Sequence, residues 1–76
     1  MIFIQAGNQD QARVCANWLE LHPKGWRYLR DGDELLGTDH PKIVRFGTYR
    51  QNKNWPRIDE MAHHHHAYIS RLEDYR

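Results

Sequence analysis

Ile2, Phe3 and Ile4 form a dense apolar run at the start of the chain and give way at once to Ala6, Gly7 and Asn8. Three consecutive bulky apolar residues leave a strand no polar face, so the run must be covered on both sides, as strands inside parallel sheets are. Parallel neighbours need crossover connections, and the residues that follow supply one. Asn8 is placed to cap a helix, with Gln11 three residues on as the second half of a capping box. Ala12, Cys15, Ala16 and Leu19 then recur at helical spacing, Val14, Trp18 and Leu21 widen the stripe, and His22-Pro23 closes the segment.

Trp26-Arg27-Tyr28-Leu29 alternates in the manner of a second strand, with aromatics on one face. Asp31-Gly32 turns the chain, and residues 33 to 37 allow one helical turn stopped by Gly37. Ile43-Val44-Arg45-Phe46 reads as a third strand that ends at Gly47-Thr48. Pro56 suits the first turn of a last helix, with Asp59 and Glu60 complementing its positive end and Arg71 its negative end. The predicted fold is a single α/β domain over residues 1–76: strand, helix, strand, short helix, strand, helix. Its sheet is three-stranded, mainly parallel and Rossmann-like, in the order 2-1-3 with residues 2 to 6 in the middle.

A chain of 76 residues buries only about 60% of the surface its unfolded form exposes, so a substrate would have to sit in a surface groove, at an edge or between copies. The net charge of +1 offers no general attraction for nucleic acid or membrane. Three Trp and four Tyr exceed what so small a core encloses, and aromatic surface favours protein contacts. The single cysteine, Cys15, fits a reducing compartment, and the opening residues lack the basic start and long apolar run of a signal peptide. Together these point to the cytoplasm.

The most conspicuous motif is His63-His64-His65-His66. On a helix starting near Pro56, the residues Ile58, Met61, Ala62, His65, Ile69 and Leu72 follow one buried stripe, which turns His65 inward and fans the other histidines toward solvent. A consecutive run cannot converge on one point. His63 and His66 alone have helical ligand spacing, and Glu60 stands three residues before His63, the Glu-x-x-His spacing of carboxylate metal sites in bundles. Such sites need ligands from further helices, so Glu60, His63 and His66 are adventitious metal candidates and no metal or cofactor is expected. Charging four neighbouring imidazoles would set them repelling one another, which predicts a last helix that loosens in mild acid.

Two surfaces remain as candidate sites. In sheets of this kind ligands bind beyond the carboxyl ends of the strands. Gly7 and Asn8 after the first strand, with Gly47, Thr48 and Arg50 after the third, could hold a phosphate or nucleotide there, although the chain has neither G-x-G-x-x-G nor a Walker ending. The loop over residues 49 to 55 is the second surface. Tyr49, Arg50 and Trp55 are the aromatic and arginine anchors that protein interfaces use. No acid, base and nucleophile can be assembled: Cys15 lies on an apolar helical stripe, Ser70 stands alone, and Asp31, Asp33 and Glu34 read as an acidic turn. The expectation is a noncatalytic protein-binding module, with the phosphate or nucleotide site as the alternative.

The segments "IFIQAGNQDQA", "WRYL", "KIVRFGTY" and "RIDEM" resemble those of small Rossmann-like accessory proteins encoded by phages of actinobacteria. The resemblance implies a product without catalytic activity that acts on a host or phage protein, which would place it in the host cytoplasm; the aromatic loop adds another copy of the chain as a candidate partner. It assigns no functional residue.

Overall fold

The computed structural model describes residues 1–72. Four strands, β1 (Ile2–Gln5), β2 (Trp26–Tyr28), β3 (Lys42–Phe46) and β4 (Tyr68–Leu72), form one sheet, with two helices, α1 (Gln9–Trp18) and α2 (Trp55–His64), packed on it. The strand order is β2-β1-β3-β4 and every pairing is parallel. The most apolar strand is therefore central, and the predicted order of the first three strands holds.

Side chains alternate across β1 and sort the core into two layers. Phe3 joins Leu29, Leu35, Ile43, Ile58 and Ala62 on the α2 face. Ile4 joins Ala12, Cys15, Ala16 and Phe46 on the α1 face. The helices thus cover opposite faces of the sheet. A 3-10 turn at Asp33–Leu35, where a helical turn was expected, buries Leu35 on the α2 side.

Asn8 is extended and its Oδ1 accepts the Gln11 N–H at 2.9 Å, which starts α1 as the sequence predicts. The other half of the capping box is absent, because the Gln11 side chain turns to Gly7 and Thr48. α1 stops at Trp18, four residues before His22: Leu19 caps it and Glu20, at φ 56°, turns the chain away. Val14 and Trp18 consequently lie outside the buried stripe, with Trp18 64% exposed.

The largest correction concerns the last third of the chain. Among the described residues the sheet has four strands, not three, because the last helix ends at His64 and does not continue through Leu72. His65 caps it, His66 reverses direction at φ 55°, and the Tyr68 N–H donates to the Pro41 carbonyl at 2.8 Å as β4 joins β3. Ile69 and Leu72 are three apart and fit a helical stripe, yet the segment Tyr68-Ile69-Ser70-Arg71-Leu72 also suits a strand through its aromatic and β-branched residues. Histidine is a middling helix former, so the run resists termination weakly, and pairing with β3 satisfies a main chain that a frayed helix would leave to water. Arg71 therefore lies in β4, not at a helix terminus, and Asp59 faces the sheet from the second turn of α2.

Candidate binding edge of the sheet

β1 leads into α1 on one face, and β3 leads toward α2 on the other, so the two central strands part company at their carboxyl ends. This divergence is the topological switch point at which open parallel sheets place ligands. Gln11 fills its inner part. The Gln11 Oε1 accepts from the N–H of Gly7 at 2.9 Å and of Thr48 at 3.2 Å, and its Nε2 donates to Thr48 Oγ1 at 2.7 Å. The two main-chain donors that could have met an anion are therefore joined to each other through a side-chain amide. Gly7 has to be glycine here, since a Cβ would sit 2.5 Å from Thr48 Oγ1 and 2.7 Å from the Thr48 carbonyl oxygen.

Behind this seam, on the α2 face, lies a charged cluster. Gln5 and Arg45 are register partners on β1 and β3, and Arg71 is the register partner of Arg45 on β4. Arg45 Nε donates to Gln5 Oε1 at 3.1 Å, Arg45 Nη2 donates to Asp59 Oδ1, and Gln5 Nε2 reaches the same oxygen at 3.4 Å. Gln5 is wholly buried, and these contacts are what make that tolerable. The arginine is thereby held at the strand end, where its guanidinium lies 5.2 Å from the centre of the Tyr49 ring.

The outer rim is a 3-10 turn, Tyr49–Gln51, leading to α2. It is pinned by Asn52, whose Nδ2 lies within reach of the Leu29 and Arg30 carbonyls at 3.3 and 3.1 Å and of the Tyr28 hydroxyl at 3.3 Å. The Oδ1 of Asn52 accepts the Asn54 N–H at 2.9 Å, which sets the chain for α2 in place of a side-chain cap on the helix itself. On this ledge the Arg50 guanidinium lies 5.7 Å from the Tyr49 ring centre and 5.9 Å from that of Trp55. Among the described residues Arg50 has no carboxylate partner.

Two adjoining hollows open along this edge. The larger, about 430 Å³, is lined by Gln11, Arg45, Thr48, Tyr49 and Arg71 among others. The second, about 420 Å³, runs from Gly47 to Gln51 and includes Arg50 and Arg71. Tyr49, Arg50 and Trp55 thus stand together, and Gly7, Gly47 and Thr48 stand together beside them. Asn8 turns instead to capping α1.

The histidines are engaged with the main chain. His63 Nδ1 donates to the Asp59 carbonyl at 2.8 Å, His65 Nδ1 to Thr38 at 3.0 Å, and His40 Nδ1 to His66 at 3.2 Å. Each bond uses a ring N–H as the donor to a main-chain carbonyl. His66 lies beyond the end of α2, so it does not share a helical face with His63 and Glu60. Among the described residues no three His, Cys, Asp or Glu side chains gather to hold a metal ion.

The remaining reactive groups are accounted for by structure. Burial pushes the Cys15 thiol up to about 11, away from reactivity. The Asp33 N–H donates to Asp31 Oδ1 at 3.0 Å and holds the Asp31 carboxyl below the usual carboxylate range. Glu34 accepts the Arg30 N–H at 2.8 Å, and Asp33 pairs with Arg57 at 2.7 Å, so the acidic turn braces the start of α2. Among the described residues no helix is long and apolar enough to cross a membrane.

The structure brings the predicted residues Tyr49, Arg50 and Trp55 together, and beside them stand Gln5, Arg45, Asn52 and Asp59, which sequence reasoning did not single out as a cluster. A glutamine closing an apolar strand and an arginine inside another were the available signals, since each polar group must find a partner when its strand is buried. Compared with family models, with curated protein sequences and with solved structures, the chain matches none.

Proposed function

We propose that this chain is a noncatalytic protein-binding module whose contact surface is the ledge of Tyr49, Arg50 and Trp55, and that it takes an acidic segment of a protein partner. The observation that carries the reading is the setting of Arg50: a cation 5.7 and 5.9 Å from the centres of two half-buried rings, with no carboxylate partner among the described residues, on a turn fixed by Asn52. Such a guanidinium is already oriented for a carboxylate and loses little freedom on binding. The flanking rings supply the anchoring area. The resemblance to phage accessory proteins agrees with this and makes a host protein in the cytoplasm the natural partner. The parallel β2-β1-β3-β4 order, with helices on both faces, supports the Rossmann-like reading of the fold.

A phosphate-bearing small ligand is the second reading, favoured by the hollow of about 430 Å³ at the switch point with Arg45, Tyr49 and Arg71 on its wall. One titration separates the two. Backbone amide shifts are followed by NMR as a Glu- and Leu-rich peptide, then inorganic phosphate, then ATP, is added. The module reading expects peptide-induced shifts over residues 49 to 55 that vanish in Arg50→Ala and weaken in Trp55→Ala while both variants stay folded. Shifts with ATP centred on Gly47 and Thr48, and none with peptide, would replace it by the second reading.

A further inference from the structure

β2 stands at one edge of the sheet and pairs with β1 on its inner side. The Ile2 N–H donates to the Gly25 carbonyl at 2.9 Å and the Leu29 N–H to the Ile4 carbonyl at 2.9 Å, which fixes the alternation of the strand between them. Arg27 therefore turns its main-chain groups toward β1. Trp26 and Tyr28 turn their N–H and C=O outward, and among the described residues no main-chain or side-chain group meets them.

The side chains make this edge two unlike rails. Trp26 and Tyr28 are half-buried against the α1 layer, and the Tyr28 hydroxyl is tied to Asn52 at 3.3 Å. Arg27 is the register partner of Phe3, so it lies on the α2 face, where it is exposed. Arg27 and Arg30 line one hollow of about 310 Å³ beside the end of the strand. Asp31 and Glu34 stand on the same wall, but each already accepts a main-chain N–H of its own turn, from Asp33 and Arg30. Among the described residues neither the Arg27 nor the Arg30 guanidinium pairs with a carboxylate.

Charge decides what the edge accepts. An antiparallel strand that uses the outward groups of both Trp26 and Tyr28 puts Arg27 at the non-hydrogen-bonded position, where facing side chains come closest. A second copy paired in that way would set Arg27 against Arg27. The edge thus repels its own copy and favours a strand with a carboxylate opposite Arg27. The residues on either side of that carboxylate fall over the Trp26 and Tyr28 rings, where apolar side chains fit.

We infer that the outer edge of β2 receives an extended acidic segment of a partner protein as an added antiparallel strand, with Glu or Asp opposite Arg27 and apolar residues over Trp26 and Tyr28. Main-chain bonds supply the affinity and the alternating side chains the selectivity, as in other strand additions. A strand as short as β2 makes the contact weak. The inference goes beyond the ledge of Tyr49, Arg50 and Trp55 and does not rest on it, because the ledge acts through side chains and this edge through its main chain.

The test is an NMR titration of the full chain with the peptide acetyl-Glu-Val-Glu-Val-Glu-amide, followed by amide hydrogen exchange at saturation. The Trp26 and Tyr28 amides are expected to shift and to exchange more slowly, whereas the Arg27 amide, already bonded to β1, gains no protection. The response should be lost in Arg27→Glu, an exposed position at which the chain stays folded. It should also be lost when both valines of the peptide carry N-methyl groups, which block the main-chain bonds and leave the charge unchanged. Shifts confined to residues 49 to 55 overturn the inference and leave the ledge reading standing. An absence of shifts, or binding that survives either Arg27→Glu or the methylated valines, overturns it as well.

Discussion

The two faces of the sheet are covered by helices of equal length attached in different ways. α1 buries Ala12, Cys15 and Ala16, three small residues that let the helix lie close against Ile4 and Phe46. α2 buries only Ile58 and Ala62, and its next contact with the sheet is ionic, through Asp59 to Arg45 and Gln5. The α1 face is held by many small contacts over an apolar layer. On the α2 face the helix is attached through Ile58, with the half-buried Met61 packed beside it, and one polar clamp. The clamp that holds α2 also places Arg45 beside the Tyr49 ring at the carboxyl edge of the sheet.

Single truncations should expose this contrast. Ile58→Ala removes the one bulky residue of α2 that is fully buried and should cost about 3–4 kcal/mol, within the range for buried isoleucine. Cys15→Ala, deleting one sulfur from a layer of small residues, should cost about 1 kcal/mol. Urea unfolding of both variants measures the ratio. Equal losses would show that the faces are anchored alike.

Asp59→Ala tests the clamp and should cost about 1.5–3 kcal/mol, because Arg45 is left with its side chain largely covered and its carboxylate gone. Coupling should appear in a double-mutant cycle: Arg45→Met placed on Asp59→Ala should cost little more, since the stranded charge has been removed. Additive losses would mean that the two residues act separately. Asn52→Ala should come next, at about 1–2 kcal/mol for the carbonyls of Leu29 and Arg30 it leaves to find other donors. It should also blunt peptide binding at the ledge, although Asn52 itself is buried.

These contrasts also mark where the sequence could be read and where it could not. The apolar run at Ile2 to Ile4 announced a central parallel strand, Asn8 announced the start of α1, and Gly47 announced the end of β3, each through local chemistry that does not depend on the rest of the chain. The end of α2 carried no comparable mark. No glycine follows His64, and the left-handed position is taken by His66. The residues Tyr68 to Leu72 satisfy two periodicities at once, so only the open edge of β3 decides between them. Gln5, Arg45 and Asp59 were illegible as a unit because positions 5, 45 and 59 meet only through strand register and helix packing. Asn52 looked like loop polarity and is a buried staple.

The smallest effect is silent at neutral pH and separates the faces most cleanly. The Cys15 thiol titrates at about 11 in the folded chain against an ordinary value of 9.0, because the α1 layer excludes water from its thiolate. Between those values an unfolded chain has released the proton that the folded chain still holds. The folded state then binds more protons, so stability is intact below about 9 and falls as pH rises toward 11. Tyr28, whose phenol is also raised by burial, adds to the loss above its ordinary value. The melting temperature of the wild type should therefore drop between pH 8.5 and 10.5 more than that of Cys15→Ala, which has no thiol to ionise. Matching slopes would mean that water already reaches the thiol, and that the α1 face is less tightly closed than its small residues imply.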